Sequence, residues 1–233
     1  MIRRSFVVAV LLALTARAAA AQDPVPYGQS RLGISDTDRD GTLYVPTSYK
    51  PGTAMPLVMM LHGFSGWGDN QKRLFALADE FGFIAVAPES RDLTWGKEAP
   101  GFDEDVRYLG AAFRHVGSLV NIDFDHVALG GQSDGAVYAL SMGLAYGDTF
   151  NHLLIYAGGG LIEPIRRKGK PKIFIAHGVK DTTFPIDLTA RKNVAQFKTE
   201  GYDVTYREHD GGHGTPADVV REGIMWFMGK KAP

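Results

Sequence analysis

Residues 127–142 read VALGGQSDGAVYALSM, and this stretch decides the fold class of the 233-residue chain. The apolar residues 127–129 are typical of a buried strand, and residues 136–142 favour a helix. Between them, Gly131-Gln132-Ser133-Asp134-Gly135 matches the pattern Gly-x-Ser-x-Gly, which holds a serine on a sharp turn from strand to helix. The two glycines relieve clashes with the neighbouring strand and helix. The stretch predicts Ser133 as a nucleophile, and the alternative is an ordinary glycine-rich turn.

Strands and helices are predicted to alternate along most of the chain, which favours an α/β domain over residues 41–233. The sheet is expected to be mostly parallel, with helices on both faces. The segment 157–171 is too short for a large cap domain. The predicted strands are 42–45, 57–61, 83–87, 126–129, 152–156, 172–176 and 203–207, and the predicted helices are 70–81, 106–120, 136–146, 188–199 and 216–228.

A base for the serine is expected in one of the loops that follow the strands, because ligands bind at the carboxyl ends of parallel strands. A serine hydroxyl is a weak nucleophile until a base, usually histidine, takes its proton. His213 lies in a glycine-rich loop between the last strand and the last helix. His209, the alternative, lies closer to the strand and is expected to be packed or on the surface. Their pair has no third ligand nearby, so no metal site is predicted.

The histidine in turn needs a carboxylate that fixes its tautomer. Asp181 follows the strand 172–176. In α/β domains with a serine on this kind of turn, the serine, the acid and the histidine follow one another along the chain in that order, as Ser133, Asp181 and His213 do. Asp187 and Asp210 are the rivals. Asp187 precedes a predicted helix and is placed to cap it, and Asp210 is very close in sequence to His213.

An oxyanion that forms during attack by the serine would need backbone N–H donors. The N–H of Asp134, directly after the serine, and the N–H of Phe64, after His62-Gly63, are predicted to supply them. The side chain of Asp134 is expected to cap the helix that it begins.

Composition excludes several function classes. Cysteine is absent, so the chain has no disulfide, thiolate nucleophile or cysteine metal site. The net charge is −1, so no basic field points to nucleic acid. No cofactor is implied, and the oligomeric state is not predicted.

The N-terminal residues 1–21 have the pattern of a secretory signal peptide. Arg3 and Arg4 precede an apolar run over Phe6–Leu14, and small residues at 19–21 offer a cleavage site before Gln22. The paired arginines also match a twin-arginine signal, although a chance pair is slightly favoured. The apolar run is short for a bilayer span, so a stable membrane anchor is not expected. Residues 22–40 are rich in proline, glycine and polar side chains, and they are interpreted as a loose lead-in to an exported domain.

From about Gly41 onward, the sequence resembles the α/β-hydrolase superfamily, and within it the small carboxylesterases grouped with phospholipase/carboxylesterase, feruloyl-esterase and polyhydroxybutyrate-depolymerase-like enzymes. The matching landmarks, in order, are Tyr44-Val45-Pro46, residues 56–63, the serine turn, His177-Gly178-Val179-Lys180-Asp181 and Gly212-His213. The resemblance implies cleavage of small or polymeric carboxylic esters through an acyl-enzyme. Thioesterase, lysophospholipase and polyester or feruloyl esterase activity are alternatives, and a binding protein without catalysis belongs to another class.

Several side chains in the predicted loops are candidates for a substrate pocket. Trp67, Trp95 and Phe184 would supply apolar surface, as would the side chain of Phe64, and Gln132 lies beside the serine. The alternative role for each aromatic residue is to anchor its own loop.

Overall fold

The computed structural model describes residues 25–66, 72–96, 104–162 and 166–230. The predicted signal peptide and Trp67 therefore lie outside the described residues. The elements in chain order are β1 (Gly28–Arg31), β2 (Gly41–Val45), β3 (Met55–Leu61), α1 (Lys72–Phe81), β4 (Ile84–Pro88), α2 (Glu104–Leu119), β5 (Ile122–Gln132), α3 (Asp134–Ala145), β6 (His152–Tyr156), β7 (Lys172–Gly178), α4 (Ala190–Thr199), β8 (Val204–His209) and α5 (Ala217–Phe227).

The eight strands form one sheet in the order β1-β2-β4-β3-β5-β6-β7-β8. The strands β3 to β8 pair in parallel, whereas β2 runs antiparallel to both of its neighbours. The carboxyl ends of the six parallel strands therefore meet at one edge of the sheet. The connection between β6 and β7 contains no helix or strand in its described part, as expected for a domain without a large cap.

Two apolar layers cover the sheet, because the continuous apolar runs of the inner strands send alternate side chains to opposite faces. Along β3, Leu57, Met59 and Leu61 pack with α2, α3 and α4 on one face. Val58 and Met60 pack with α1 and α5 on the other. This arrangement confirms the predicted α/β class with helices on both faces.

The lead-in differs from its prediction, because it contains the edge strand β1. Residues 28–31 pair with β2 through backbone hydrogen bonds, and Leu32 is buried directly after them. The buried carboxylate of Asp40 accepts hydrogen bonds from the backbone N–H groups of Gly33, Ile34 and Ser35 at 2.7–2.9 Å. A polar four-residue edge strand has no apolar alternation, so its sequence gives little strand signal.

The buried side chain of His152, the first residue of β6, makes the stability of the fold depend on pH. Desolvation in the aromatic contacts of His152, with a smaller effect of Lys172, lowers the pKa of its imidazole to about 4. In the unfolded chain His152 binds a proton near pH 6.5, whereas in the folded chain it does so only near pH 4. The free energy of unfolding therefore falls as the pH drops from 6.5 towards 4. We expect His152→Gln to flatten this fall in urea unfolding at several pH values. An unchanged slope would contradict the assignment to His152.

Candidate active site

Ser133 lies between β5 and α3 with a backbone conformation that L-residues rarely adopt, at φ 56° and ψ −122°. Such a conformation costs about 1–3 kcal/mol and persists only where the surroundings enforce it. The flanking glycines permit it. A Cβ on Gly131 would clash with the backbone of Gly135, and a Cβ on Gly135 would clash with the carbonyl oxygen of His62 and lie 2.7 Å from that of Leu61.

We expect Gly135→Ala to destabilise the turn by about 1–3 kcal/mol, because the new methyl group meets backbone atoms that cannot move aside cheaply. Thermal unfolding and the rate of ester cleavage would both report the change. Gly214→Ala is the matched control, since a Cβ there meets nothing within 4 Å. Equal behaviour of the two variants would contradict this account of the turn.

The structure brings the three residues predicted as nucleophile, base and acid into one hydrogen-bonded chain. The Oγ of Ser133 lies 2.7 Å from Nε2 of His213, and Nδ1 of His213 lies 2.8 Å from Oδ2 of Asp181. Asp181 is almost fully buried, while the side chain of His213 is 30% exposed. The serine comes from the turn after β5, the aspartate from the loop after β7 and the histidine from the loop after β8.

Asp181 is held as a carboxylate by three hydrogen bonds, one from Nδ1 of His213 and two from backbone N–H groups. Its Oδ1 accepts from the backbone N–H groups of Thr183 at 2.8 Å and Phe184 at 2.9 Å. Burial alone would raise the pKa of Asp181, but the hydrogen bonds from His213, Phe184 and Thr183 outweigh it and place the pKa below its ordinary value. An ionised acid fixes the tautomer of His213 in which Nδ1 carries a proton and Nε2 can accept one.

A further polar neighbour of Asp181 is His177, which the sequence indicated only as one of the landmarks of the resemblance. His177 is fully buried, and its Nε2 lies 3.0 Å from Oδ2 of Asp181 and 2.8 Å from the carbonyl oxygen of Phe184. Both neighbours are acceptors, so Nε2 carries the proton and donates. This proton goes to the carbonyl oxygen of Phe184, and the ring also lies next to the carboxylate oxygen that accepts from His213. The sequence signal was its position four residues before Asp181, at the end of a buried strand.

The rival residues occupy other environments. His209 is buried beside the loop, and desolvation, followed by the nearby His177, lowers its pKa. Asp187 pairs with Arg191 at 2.8 Å, and Asp210 pairs with Lys180 at 2.7 Å. Asp187 was expected to cap a helix, but α4 begins after Thr189 without a side-chain cap.

The loop that carries Phe64 passes beside the serine. A Cβ on Gly63 would lie 3.4 Å from Cβ of Ser133. His62 stabilises this loop through both ring nitrogens. Its Nε2 accepts a hydrogen bond from the N–H of Ser90 at 3.0 Å, so the ring proton is on Nδ1. Nδ1 donates it to the carbonyl oxygen of Gly63 at 2.7 Å. Desolvation is the main cause that lowers the pKa of His62, which favours the neutral ring. The role of the Phe64 and Asp134 N–H groups as oxyanion donors stays a prediction.

The side chain of Asp134 differs from its predicted role. It makes no capping hydrogen bond, and Oδ2 instead accepts from Oγ1 of Thr94 at 3.0 Å. Thr94 lies in the loop after β4, so only the tertiary structure brings the two side chains together.

A cleft of about 430 Å³ lies next to the serine turn, and two of the predicted pocket residues line it. Phe184 meets the ring of His213 edge-on with the centroids 5.4 Å apart. Trp95 is 2% exposed, and its indole N–H donates to the carbonyl oxygen of His62 at 2.7 Å, so it also anchors its loop. The side chain of Phe64 is exposed and is not part of the lining, and neither is Gln132. Sequence reasoning did not include Thr94, Val137 and Tyr138, which line the cleft from the loop after β4 and the first turns of α3.

Gln132 positions the histidine loop instead of lining the cleft. Its Nε2 donates to the carbonyl oxygen of His213 at 3.0 Å, and its Oε1 accepts from Oγ1 of Thr215 at 2.7 Å. We expect Gln132→Ala to lower kcat about 10- to 100-fold, because a displacement of His213 of about 1 Å is costly in geometry-dependent catalysis. Gln132→Glu should recover part of the loss, since it can still accept from Thr215. Normal turnover by Gln132→Ala in an ester assay would contradict this role.

No metal-binding group of three His, Cys, Asp or Glu side chains occurs among the described residues. Over the same residues, no helix has the length and apolar character needed to cross a membrane.

The sequence matches no family model and no curated protein. Solved structures do match. Esterase 2 of Thermogutta terrifontis superposes with a TM-score of 0.68 at 16% identity, over 92% of this chain and 99% of that one. An acetyl xylan esterase from Aspergillus awamori gives 0.66 at 16% identity, over 87% and 99%. The fluorophosphonate-binding serine hydrolase FphF of Staphylococcus aureus gives 0.65 at 14% identity, over 82% and 92%.

These likenesses and the sheet order define the class of fold. The chain has the α/β-hydrolase fold without a large cap, with the serine turn after β5 at the edge where the parallel strands end.

Proposed function

We propose that this protein is a serine hydrolase that cleaves carboxylic esters through an acyl-enzyme intermediate. The observation that carries the proposal is the unbroken chain from Oγ of Ser133 through His213 to Asp181, with both hydrogen bonds at 2.7–2.8 Å. The esterases and serine hydrolases with the same fold support the choice of reaction.

In the first half-reaction, Oγ of Ser133 attacks the carbonyl carbon of the ester while Nε2 of His213 takes the hydroxyl proton. Asp181 stabilises the imidazolium that forms, and the N–H groups of Phe64 and Asp134 would stabilise the oxyanion. The tetrahedral intermediate collapses, the C–O bond to the alcohol breaks, and His213 returns the proton to the leaving oxygen.

In the second half-reaction, His213 takes a proton from a water molecule that attacks the acyl carbon. Collapse of this second intermediate releases the acid and gives the proton back to Oγ of Ser133. The reaction therefore consumes one ester and one water and returns the enzyme unchanged, with no cofactor. Esters of small alcohols or acids suit the uncapped cleft. Thioesters, polyesters and lysophospholipids are alternative substrates, because the same chemistry would cleave them.

A fluorophosphonate probe tests the proposal directly. The probe should add one phosphonyl group to the mature chain, and peptide mapping should place it on Ser133, because only an activated serine reacts rapidly. A panel of p-nitrophenyl esters from acetate to laurate should then be hydrolysed, with the chain-length profile reporting on the cleft. A chain that neither reacts with the probe nor cleaves any ester would be a binding protein on this fold.

We also propose that residues 1–21 direct the chain out of the cytoplasm and are then removed. The positive start, the apolar run and the small residues before Gln22 support this proposal. Expression of the full chain in a Gram-negative host should yield periplasmic or secreted protein whose N-terminal residue is Gln22. An intact N-terminus on cytoplasmic protein would contradict it.

A further inference from the structure

The cleft beside the serine turn contains a carboxylate, that of Asp134. Asp134 and its hydrogen-bond partner Thr94 both line the cleft, and Asp134 is half-buried there. The other lining residues among those described are uncharged: apart from Thr94 they are apolar, aromatic or glycine. Among its described lining residues, the cleft therefore has one negative charge in mostly apolar surroundings.

No cation within the described ranges neutralises this charge. Oδ2 of Asp134 accepts a hydroxyl proton from Thr94, and no ion pair joins Asp134 to a lysine, arginine or histidine of the described chain. This contrasts with the carboxylates of Asp187 and Asp210, each of which has a basic partner. A half-buried carboxylate without a counter-ion attracts a positively charged group, because screening by water is reduced there.

An aromatic residue of the cleft favours the same kind of group. The rings of Trp95 and Tyr138 are buried against each other, whereas Phe184 is partly exposed and borders the cleft where it meets His213. An aromatic ring near a carboxylate is a surrounding that binds ammonium groups, and quaternary ammonium groups in particular.

The position of the charge matters for the reaction as well as for binding. The N–H of Asp134 is proposed to stabilise the oxyanion, and its own carboxylate opposes negative charge that develops nearby. A positive group of the substrate in the cleft would offset that repulsion. A neutral substrate would leave the repulsion in place, and an anionic substrate would increase it.

We propose that the cleft selects esters that carry a positively charged group, and that the carboxylate of Asp134 is the specificity-determining residue. This inference rests on the proposed ester hydrolysis and names its substrate class. The geometry leaves two places for the charge, the acyl chain and the alcohol, so both are tested.

Two pairs of isosteric esters separate charge from shape. Butyrylcholine and 3,3-dimethylbutyl butyrate differ in one positive charge on the alcohol. The p-nitrophenyl esters of 4-(trimethylammonio)butanoate and 5,5-dimethylhexanoate differ in the same way on the acyl chain. In at least one pair we expect kcat/KM to be about 10-fold higher for the cationic ester, in line with a partly desolvated cation beside a carboxylate and an aromatic ring.

Asp134→Asn should reduce that ratio to about 1, because the amide keeps the shape and the backbone N–H but removes the charge. The ratio is the readout, since any effect of the substitution on the common chemical step cancels within a pair. Asp187→Asn is the matched control: it makes the same change in net charge outside the cleft and should leave the ratio as in the wild type.

Two results would overturn the inference in an enzyme that still cleaves neutral esters. One is a ratio near 1 for both pairs in the wild type, and the other is a ratio that Asp134→Asn leaves unchanged. A wild-type chain that cleaves none of the four esters and does not react with the fluorophosphonate probe would overturn the proposed function itself. The two failures are therefore distinguishable.

Discussion

Ser133→Ala is expected to lower kcat for p-nitrophenyl esters by about 10⁴- to 10⁶-fold, the loss typical of a removed nucleophile. The alanine has no oxygen within reach of Nε2 of His213, which in the structure lies 2.7 Å from Oγ. Steady-state kinetics with a burst-phase measurement would show both the loss of turnover and the loss of acyl-enzyme. The fluorophosphonate adduct should disappear in the same variant.

A serine outside the site gives the matched control for this variant. Ser118 is exposed near the end of α2, and Ser118→Ala should keep both the rate and the adduct. Unfolding curves should show that the Ser133→Ala chain is folded, since the methyl group fits where Cβ already is. Residual activity within tenfold of the wild type would mean that another group attacks the ester.

Patterns that depend on local chain geometry were the ones that the sequence predicted well. The turn around Ser133 depends on glycines two residues away, and the strand before Asp181 contains a continuous apolar run. The order of the segments that carry Ser133, Asp181 and His213 then follows from the parallel sheet, because consecutive strands end at the same edge. The strand β1 was missed because its stability comes from pairing with β2 and not from its own side chains.

Side-chain partners from distant segments could not be predicted in the same way. Thr94 reaches Asp134 from 40 residues away, so the expected helix cap was wrong although the residue itself was singled out. Gln132 was expected beside the substrate, but its amide bonds to the loop of His213 across 81 residues. His177 illustrates the same limit, since the contact between its Nε2 and Oδ2 of Asp181 depends on how the loop after β7 folds back.

Asp181→Asn is the second substitution with a large expected effect, because the carboxylate accepts three hydrogen bonds that one amide oxygen cannot replace. Oδ2 accepts from His213, and Oδ1 accepts from two backbone N–H groups. In either orientation, the amide nitrogen of the asparagine would face at least one of these donors. If it faces His213, it favours the tautomer whose proton lies on Nε2, which cannot accept the proton of Ser133.

We therefore expect kcat to fall about 10⁴-fold at neutral pH, as for a triad with the wrong histidine tautomer. The buried donors left without an acceptor should also lower the free energy of unfolding by about 1–3 kcal/mol, which denaturant titration would measure. Asp210→Asn is the control, since Asp210 is exposed, pairs with Lys180 and lies three residues before His213. If Asp210→Asn lost the activity and Asp181→Asn kept it, the acid of this site would be Asp210, and the hydrogen bonds to Asp181 would serve only to fold the loop.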